Sequence, residues 1–169
     1  MTTISADIIK ELRTRTGAGI MDCKRALEDA QGDMDQAVAL LRERGIATVA
    51  KKASRAANEG LIETYVHAGG RIGVIVELNC ETDFVARTDD FKELAHDIAL
   101  QIAAMNPQAI DDERPLDDLD TSAGEPRLVH QPFVKDSGRT IGSLLTDTAA
   151  RVGENVLIRR FVRYGLGED

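Results

Sequence analysis

The chain has no tryptophan, and aromatic residues make up only 4% of its 169 positions. Its core must therefore rest on Ile, Leu, Val and Ala. Two cysteines, Cys23 and Cys80, are too few for a disulfide framework and match no zinc spacing. That usage suits a reducing, cytoplasmic setting. No stretch approaches the roughly 18 apolar residues a membrane helix needs. The segment Met1 to Asp7 lacks the basic start and apolar run of a signal peptide, so no membrane partner is expected. Positive charge is also in deficit: 21 Lys and Arg face 29 Asp and Glu, for a net charge of -8. Proteins that grip phosphate backbones usually carry the opposite sign, so direct nucleic-acid binding is not expected. What the chain does have is 43% hydrophobic residues, enough for a packed core. Its length suits one ordinary domain or two small ones.

The first 45 residues read as three short amphipathic helices. Ser5 is a good N-cap, followed by Ile8, Ile9 and Leu12 at helical spacing. Thr16-Gly17-Ala18-Gly19 breaks this helix. A second runs from Ile20 to Ala30 with Cys23, Ala26, Leu27 and Ala30 on one face. Asp33 caps a third, carrying Met34, Ala37, Val38 and Leu41, and Gly45 at a C′ position is expected to end it. Residues 46–58 follow as a helical linker in which Lys51, Lys52 and Arg55 lie among alanines with no acid, a pattern that usually marks a solvated face. Residues 59–169 read as an α+β domain. Leu61 to His67 and the alternating Ile72, Val74, Val76 and Leu78 form two strands joined at Gly69-Gly70. A long helix spans Asp89 to Met105, another follows Thr140 and stops at Gly153, and Asn155 to Tyr164 is a third strand. The whole predicts a small antiparallel three-stranded sheet with helices on one face. Asp111 to Glu125 is an acidic stretch without the order of a calcium loop and is expected to be a solvated loop.

Catalytic chemistry is hard to find. His67, His96 and His130 fall on different elements and form no metal spacing with the cysteines. No serine sits in a nucleophile elbow. Cys80 is the best nucleophile on offer, but a small core residue is the plainer reading. Thr16-Gly17-Ala18-Gly19 lacks the strand before and the Gly-Lys-Ser/Thr after that a phosphate loop requires. It fits a tight interhelical turn. Ile20 and Met21 follow it; the bundle already has other core-facing residues, so one or both are expected to point outward, and an exposed Met makes an adaptable protein contact. Thr82-Asp83-Phe84-Val85 lies between a strand and a helix. Composition alone favours a core Phe beside a capping Asp. The sharper alternative is a wedge, with Phe84 entering a partner and Asp83 bonding a partner group. No catalytic residue, cofactor site or metal site is expected.

Two segments go beyond pattern. Thr16-Gly17-Ala18-Gly19-Ile20-Met21-Asp22-Cys23-Lys24-Arg25-Ala26-Leu27 resembles the N-terminal signature of the translation elongation factor Ts family. Glu77-Leu78-Asn79-Cys80-Glu81-Thr82-Asp83-Phe84-Val85-Ala86 resembles its second signature, in the same order and at a matching separation. The resemblance extends over nearly the whole chain. It implies a non-enzymatic guanine-nucleotide exchange factor for elongation factor Tu, in its GDP-bound and nucleotide-free forms. It further implies a ubiquitin-associated-like fold for the N-terminal bundle, which would dock on the partner's GTPase domain through Arg13, Ile20 and Met21. Thr82, Asp83, Phe84 and Val85 would push into the nucleotide domain and help dislodge magnesium. Longer members have two similar core subdomains, and a middle portion is absent here. Short members resemble this arrangement and pair as homodimers, so a homodimer is expected. A ubiquitin-associated-like adaptor without effect on nucleotide is the main competing reading. A Cys80 thiol transferase is the third.

Overall fold

The computed structural model describes residues 4–111 and 127–168. Three helices open the chain: α1 (Ala6–Thr16), α2 (Ile20–Asp29) and α3 (Met34–Lys52). The Ser5 side chain accepts the Ile8 amide at the start of α1, and Asp33 accepts the Gln36 amide at the start of α3. These caps satisfy amides that have no partner within the helix. Leu12, Cys23, Ala26, Leu27, Ala30 and Ala37 are buried together as the core of this bundle.

One expectation fails at Gly45. The third helix does not stop there but continues unbroken to Lys52, across the expected start of a separate linker. The reason is tertiary. A Cβ on Gly45 would lie 3.0 Å from the Ala150 Cβ, so the missing side chain lets α3 lie close against the helix that carries Ala150. The first half of α3 packs on the bundle, while Val49 packs against the main core.

That main core is built on strands β1 (Glu59–Val66), β2 (Ile72–Cys80) and β5 (Leu157–Gly165), antiparallel in the order β1-β2-β5. Gly60 has φ +147, and a Cβ there would fall 2.1 Å from the Leu78 carbonyl oxygen, so only glycine lets the edge strand come this close. Inward residues Val74, Val76 and Leu78 meet Phe91, Leu94, Ile98 and Ile102 of α5 (Asp89–Met105) and Ile141 and Leu144 of α6 (Ile141–Val152). Each buried side chain of this size contributes roughly 1.5–3 kcal/mol. A single turn, α4 (Asp83–Ala86), joins β2 to α5.

The sequence gives no warning of a second, two-stranded sheet, β3 (Pro132–Phe133) with β4 (Asp136–Thr140), which follows a 3-10 turn at Leu128–His130. The acidic stretch expected as a solvated loop lies, beyond Asp111, outside the described residues.

The helices cover one face of the main sheet. The other face carries Ile62, Val66, Ile75, Val162 and Tyr164, all exposed. Register places Thr64, Ile75 and Val162 in one row across the three strands, with Val66, Gly73 and Tyr164 in the next but one. Among the described residues no helix is long and apolar enough to cross a membrane.

Candidate protein-docking surfaces

Arg13, Ile20 and Met21 flank the turn between α1 and α2. Gly17 takes the left-handed conformation at φ 69, and its amide donates to the Arg13 carbonyl oxygen, closing α1. Gly19 then caps α2 with extended backbone. Helical phase does the rest. Cys23, Ala26 and Leu27 point into the bundle, which turns Ile20 and Met21 outward at 57% and 59% exposure. Arg13 is exposed in the last turn of α1.

The second group surrounds α4. Thr82 caps this turn, its hydroxyl accepting the Val85 amide at 3.4 Å. Val85 and Ala86 are buried and fix the turn to the core. Phe84 is 77% exposed, against the reading that composition favoured. Val85 is 4% exposed, so its side chain does not reach outward with Thr82, Asp83 and Phe84. Successive helical residues point about 100° apart, so Asp83 and Phe84 share the outward side of this turn while Val85 and Ala86 face the core. Asp83 is exposed and accepts from Arg87 one turn on.

A set of hydrogen bonds that the sequence does not reveal holds the residues just before Phe84. Glu154 Oε2 accepts both the Glu81 and Thr82 amides at 3.0 Å, and its Oε1 accepts the Thr82 hydroxyl at 2.6 Å. In return Glu81 Oε1 accepts the Asn155 amide at 2.7 Å. Asn155 is buried and its Nδ2 donates to the carbonyl oxygens of Ala53 and Arg55. Lys52 Nζ donates to the Gly153 carbonyl oxygen at 2.5 Å.

Cys80 lies beneath this turn, fully buried, with its thiol donating to the Thr82 carbonyl oxygen at 3.1 Å. Burial, reinforced by the nearby Glu154 carboxylate, pushes this thiol up to about 11. A thiol held protonated is a poor nucleophile, which favours the plain core reading. His67 and His96 both flank the Tyr65 ring, and His130 faces Asp111. Among the described residues no group of three or more His, Cys, Asp or Glu is placed to hold a metal ion. The cleft between the bundle and α6, of about 470 Å³, is lined by Arg15, Arg44, Arg139 and Arg151 among others. Each of these four already faces a carboxylate, on Asp35, Asp29, Asp147 and Asp90 in turn. The arrangement offers three exposed apolar side chains, Ile20, Met21 and Phe84, each at the start of a helical segment, and its geometry suits docking.

A family model described as Elongation factor TS matches residues 18–122, a span that holds Ile20, Met21 and the whole of α4. An elongation factor Ts of Carboxydothermus hydrogenoformans is 48% identical over 195 aligned residues, covering 98% of this chain and 90% of the relative. One from Alkaliphilus oremlandii is 49% identical, with the same coverage of both chains. One from Thermoanaerobacter sp. (strain X514) is 47% identical over 98% of this chain and 96% of its own length. The aligned stretches are longer than this chain, so these relatives carry segments with no counterpart in it.

Proposed function

Because the chain belongs to the elongation factor Ts family, and so has a role in translation elongation, we propose that it is a guanine-nucleotide exchange factor for elongation factor Tu. It is not an enzyme in this reading, since no bond is made or broken on it. The bundle docks on the partner's GTPase domain through Arg13, Ile20 and Met21, and the turn at Thr82, Asp83 and Phe84 enters the nucleotide domain. GDP is held largely through its phosphates, by magnesium and backbone amides. Displacing either loosens the nucleotide. By linkage, a factor that weakens GDP binding binds the GDP-loaded partner less tightly than the empty one by the same factor. GTP can then enter and expel it.

One observation carries this reading: Phe84 is exposed at the tip of a turn whose next two residues are buried. A ring in water on a fixed support has a favourable place to go when a partner offers an apolar slot, and its burial is worth about 1.5–3 kcal/mol. The test is release of a fluorescent GDP analogue from elongation factor Tu. The wild-type chain should accelerate release strongly. Phe84→Ala should lower that acceleration by about tenfold or more, with an unchanged melting temperature. A folded wild-type chain that gives no acceleration would leave only a binding module.

We further propose that the chain works as a homodimer. The uncovered face of the β1-β2-β5 sheet presents five exposed apolar residues in adjacent rows, and among the described residues both outer strands have free edges. Contiguous apolar faces of this kind favour association, and a second copy offers a matching surface.

A further inference from the structure

Three consecutive residues between α6 and β5 hold the end of α3, the third helix of the bundle, and the entry to α4. Gly153 receives Lys52 from the end of α3. Glu154 receives the Glu81 amide, the Thr82 amide and the Thr82 hydroxyl. Asn155 donates through Nδ2 to the backbone at 53 and 55, and through its amide to Glu81. Arg55 Nη1 also approaches Glu81 Oε2 at 3.5 Å. The far end of the bundle's longest helix and the entry to α4 are thus pinned to one loop.

We propose that Gly153-Glu154-Asn155 is a positioning element for nucleotide exchange, with Glu154 the positioning residue for Phe84. The proposal rests on the reading of Phe84 as the group that enters the nucleotide domain. Thr82 is the N-cap of α4, so holding its amide and hydroxyl fixes where that turn begins and where Phe84 points. Two contacts on one rigid partner cooperate best when their separation is fixed before binding, because less ordering entropy is then lost. The loop provides this by tying α3, which carries the bundle, and α4, which carries the ring, to the same three residues. Carboxylate hydrogen bonds to backbone amides suit the task, because they are stronger than neutral ones and directional. The carboxylate itself has no role toward nucleotide in this account. It acts by geometry, through Thr82.

The test uses the full chain and fluorescent GDP release from elongation factor Tu over a range of factor concentrations. It compares Phe84→Ala, Glu154→Ala, Glu154→Asp, Glu154→Gln and the Phe84→Ala/Glu154→Ala pair. Glu154→Ala should lower the rate at saturating factor by about tenfold, since small misplacements of a positioned group cost this much or more. The half-saturating concentration should change less than about threefold, because bundle docking is retained. Glu154→Asp keeps the charge but loses reach, and should fail like Ala. Glu154→Gln keeps the shape, with its carbonyl oxygen accepting both amides and its NH₂ donating to the Thr82 hydroxyl, and should restore most of the rate. The double variant should be no slower than Phe84→Ala alone. In amide hydrogen exchange, Glu154→Ala should lose protection at Glu81 and Thr82 while α5 keeps its own. If Phe84→Ala slows exchange but Glu154→Ala does not, the positioning proposal fails and the wedge stands. Restoration by Asp and not by Gln would overturn it in favour of a charge effect. If Phe84→Ala has no effect, the wedge fails and the proposal falls with it.

Discussion

Arg87 donates to the Asp83 carboxylate at 2.7 Å across one turn of helix, so the acid beside Phe84 is already paired in the free chain. Both side chains are exposed, and an exposed pair at this spacing is worth about 0.3–0.5 kcal/mol. A charge-assisted hydrogen bond to a partner group is worth about 1.5–3 kcal/mol. Arg87 should therefore orient Asp83 without holding it back. Arg87→Ala is expected to change GDP release by less than about twofold, whereas Asp83→Ala should slow it by about tenfold. Both should melt with the wild type. Equal losses in the two variants would mean that the ion pair acts on the partner as a unit.

The bundle surface should behave differently, because docking and exchange are separable steps. Ile20 and Met21 are exposed and leave the bundle core intact when trimmed. Partial burial of each on docking corresponds to about 1–2 kcal/mol. Ile20→Ala and Met21→Ala should each raise the half-saturating concentration by about tenfold, with the saturated rate and melting temperature unchanged. Arg13→Ala should give a smaller loss that shrinks further in high salt, as expected for a rim charge. A loss of saturated rate in these variants would remove the division of labour between the two surfaces.

What the sequence made legible was what local chemistry decides. The α5 helix runs from Asp89 to Met105 as its periodicity indicates, bounded by Thr88 and by Asn106 in the left-handed conformation. The three main strands follow for the same reason. Gly45 misleads because a glycine after an apolar period looks like a helix end, and only Ala150, far along the chain, accounts for it. Composition favours Phe84 as the buried residue, yet Val85 is the one that turns inward; the cap at Thr82 and the buried Ala86 settle that in three dimensions. Glu154 bonds to Thr82 across 72 residues, beyond the reach of any local pattern. The β3–β4 pair is short and largely polar, with no alternation to read.

Cys80 gives the fold a pH dependence of defined sign. Burial, with Glu154 adding to it, pushes the thiol up to about 11 from an ordinary 9.0. Below pH 9 both folded and unfolded chains keep the proton, and the group contributes no slope. Between about 9 and 11 the unfolded chain releases it first, so stability falls as pH rises across that window. Urea midpoints should decline more steeply there for the wild type than for Cys80→Ala, and the two should run parallel below pH 9. Parallel curves throughout would mean that the thiol titrates at its ordinary value. GDP release at neutral pH should survive Cys80→Ser, as it would not for a thiol transferase.

The dimer reading turns on Ile75, at the centre of the uncovered sheet face between Thr64 and Val162. In a lone chain this side chain already meets water, so a lysine there should cost well under about 1 kcal/mol, as surface changes usually do. In a face-to-face pair related by a two-fold axis the same substitution acts twice. It places two like charges in an apolar contact, where unpaired charges are strongly disfavoured. Light scattering at micromolar concentration should therefore give twice the chain mass for the wild type and the single-chain mass for Ile75→Lys, with secondary structure unchanged. A wild-type chain that scatters as a monomer ends the dimer reading. A doubled mass that persists in Ile75→Lys moves the contact off this face, to the outer edge of β1 or β5, where backbone pairing depends little on which side chains point outward.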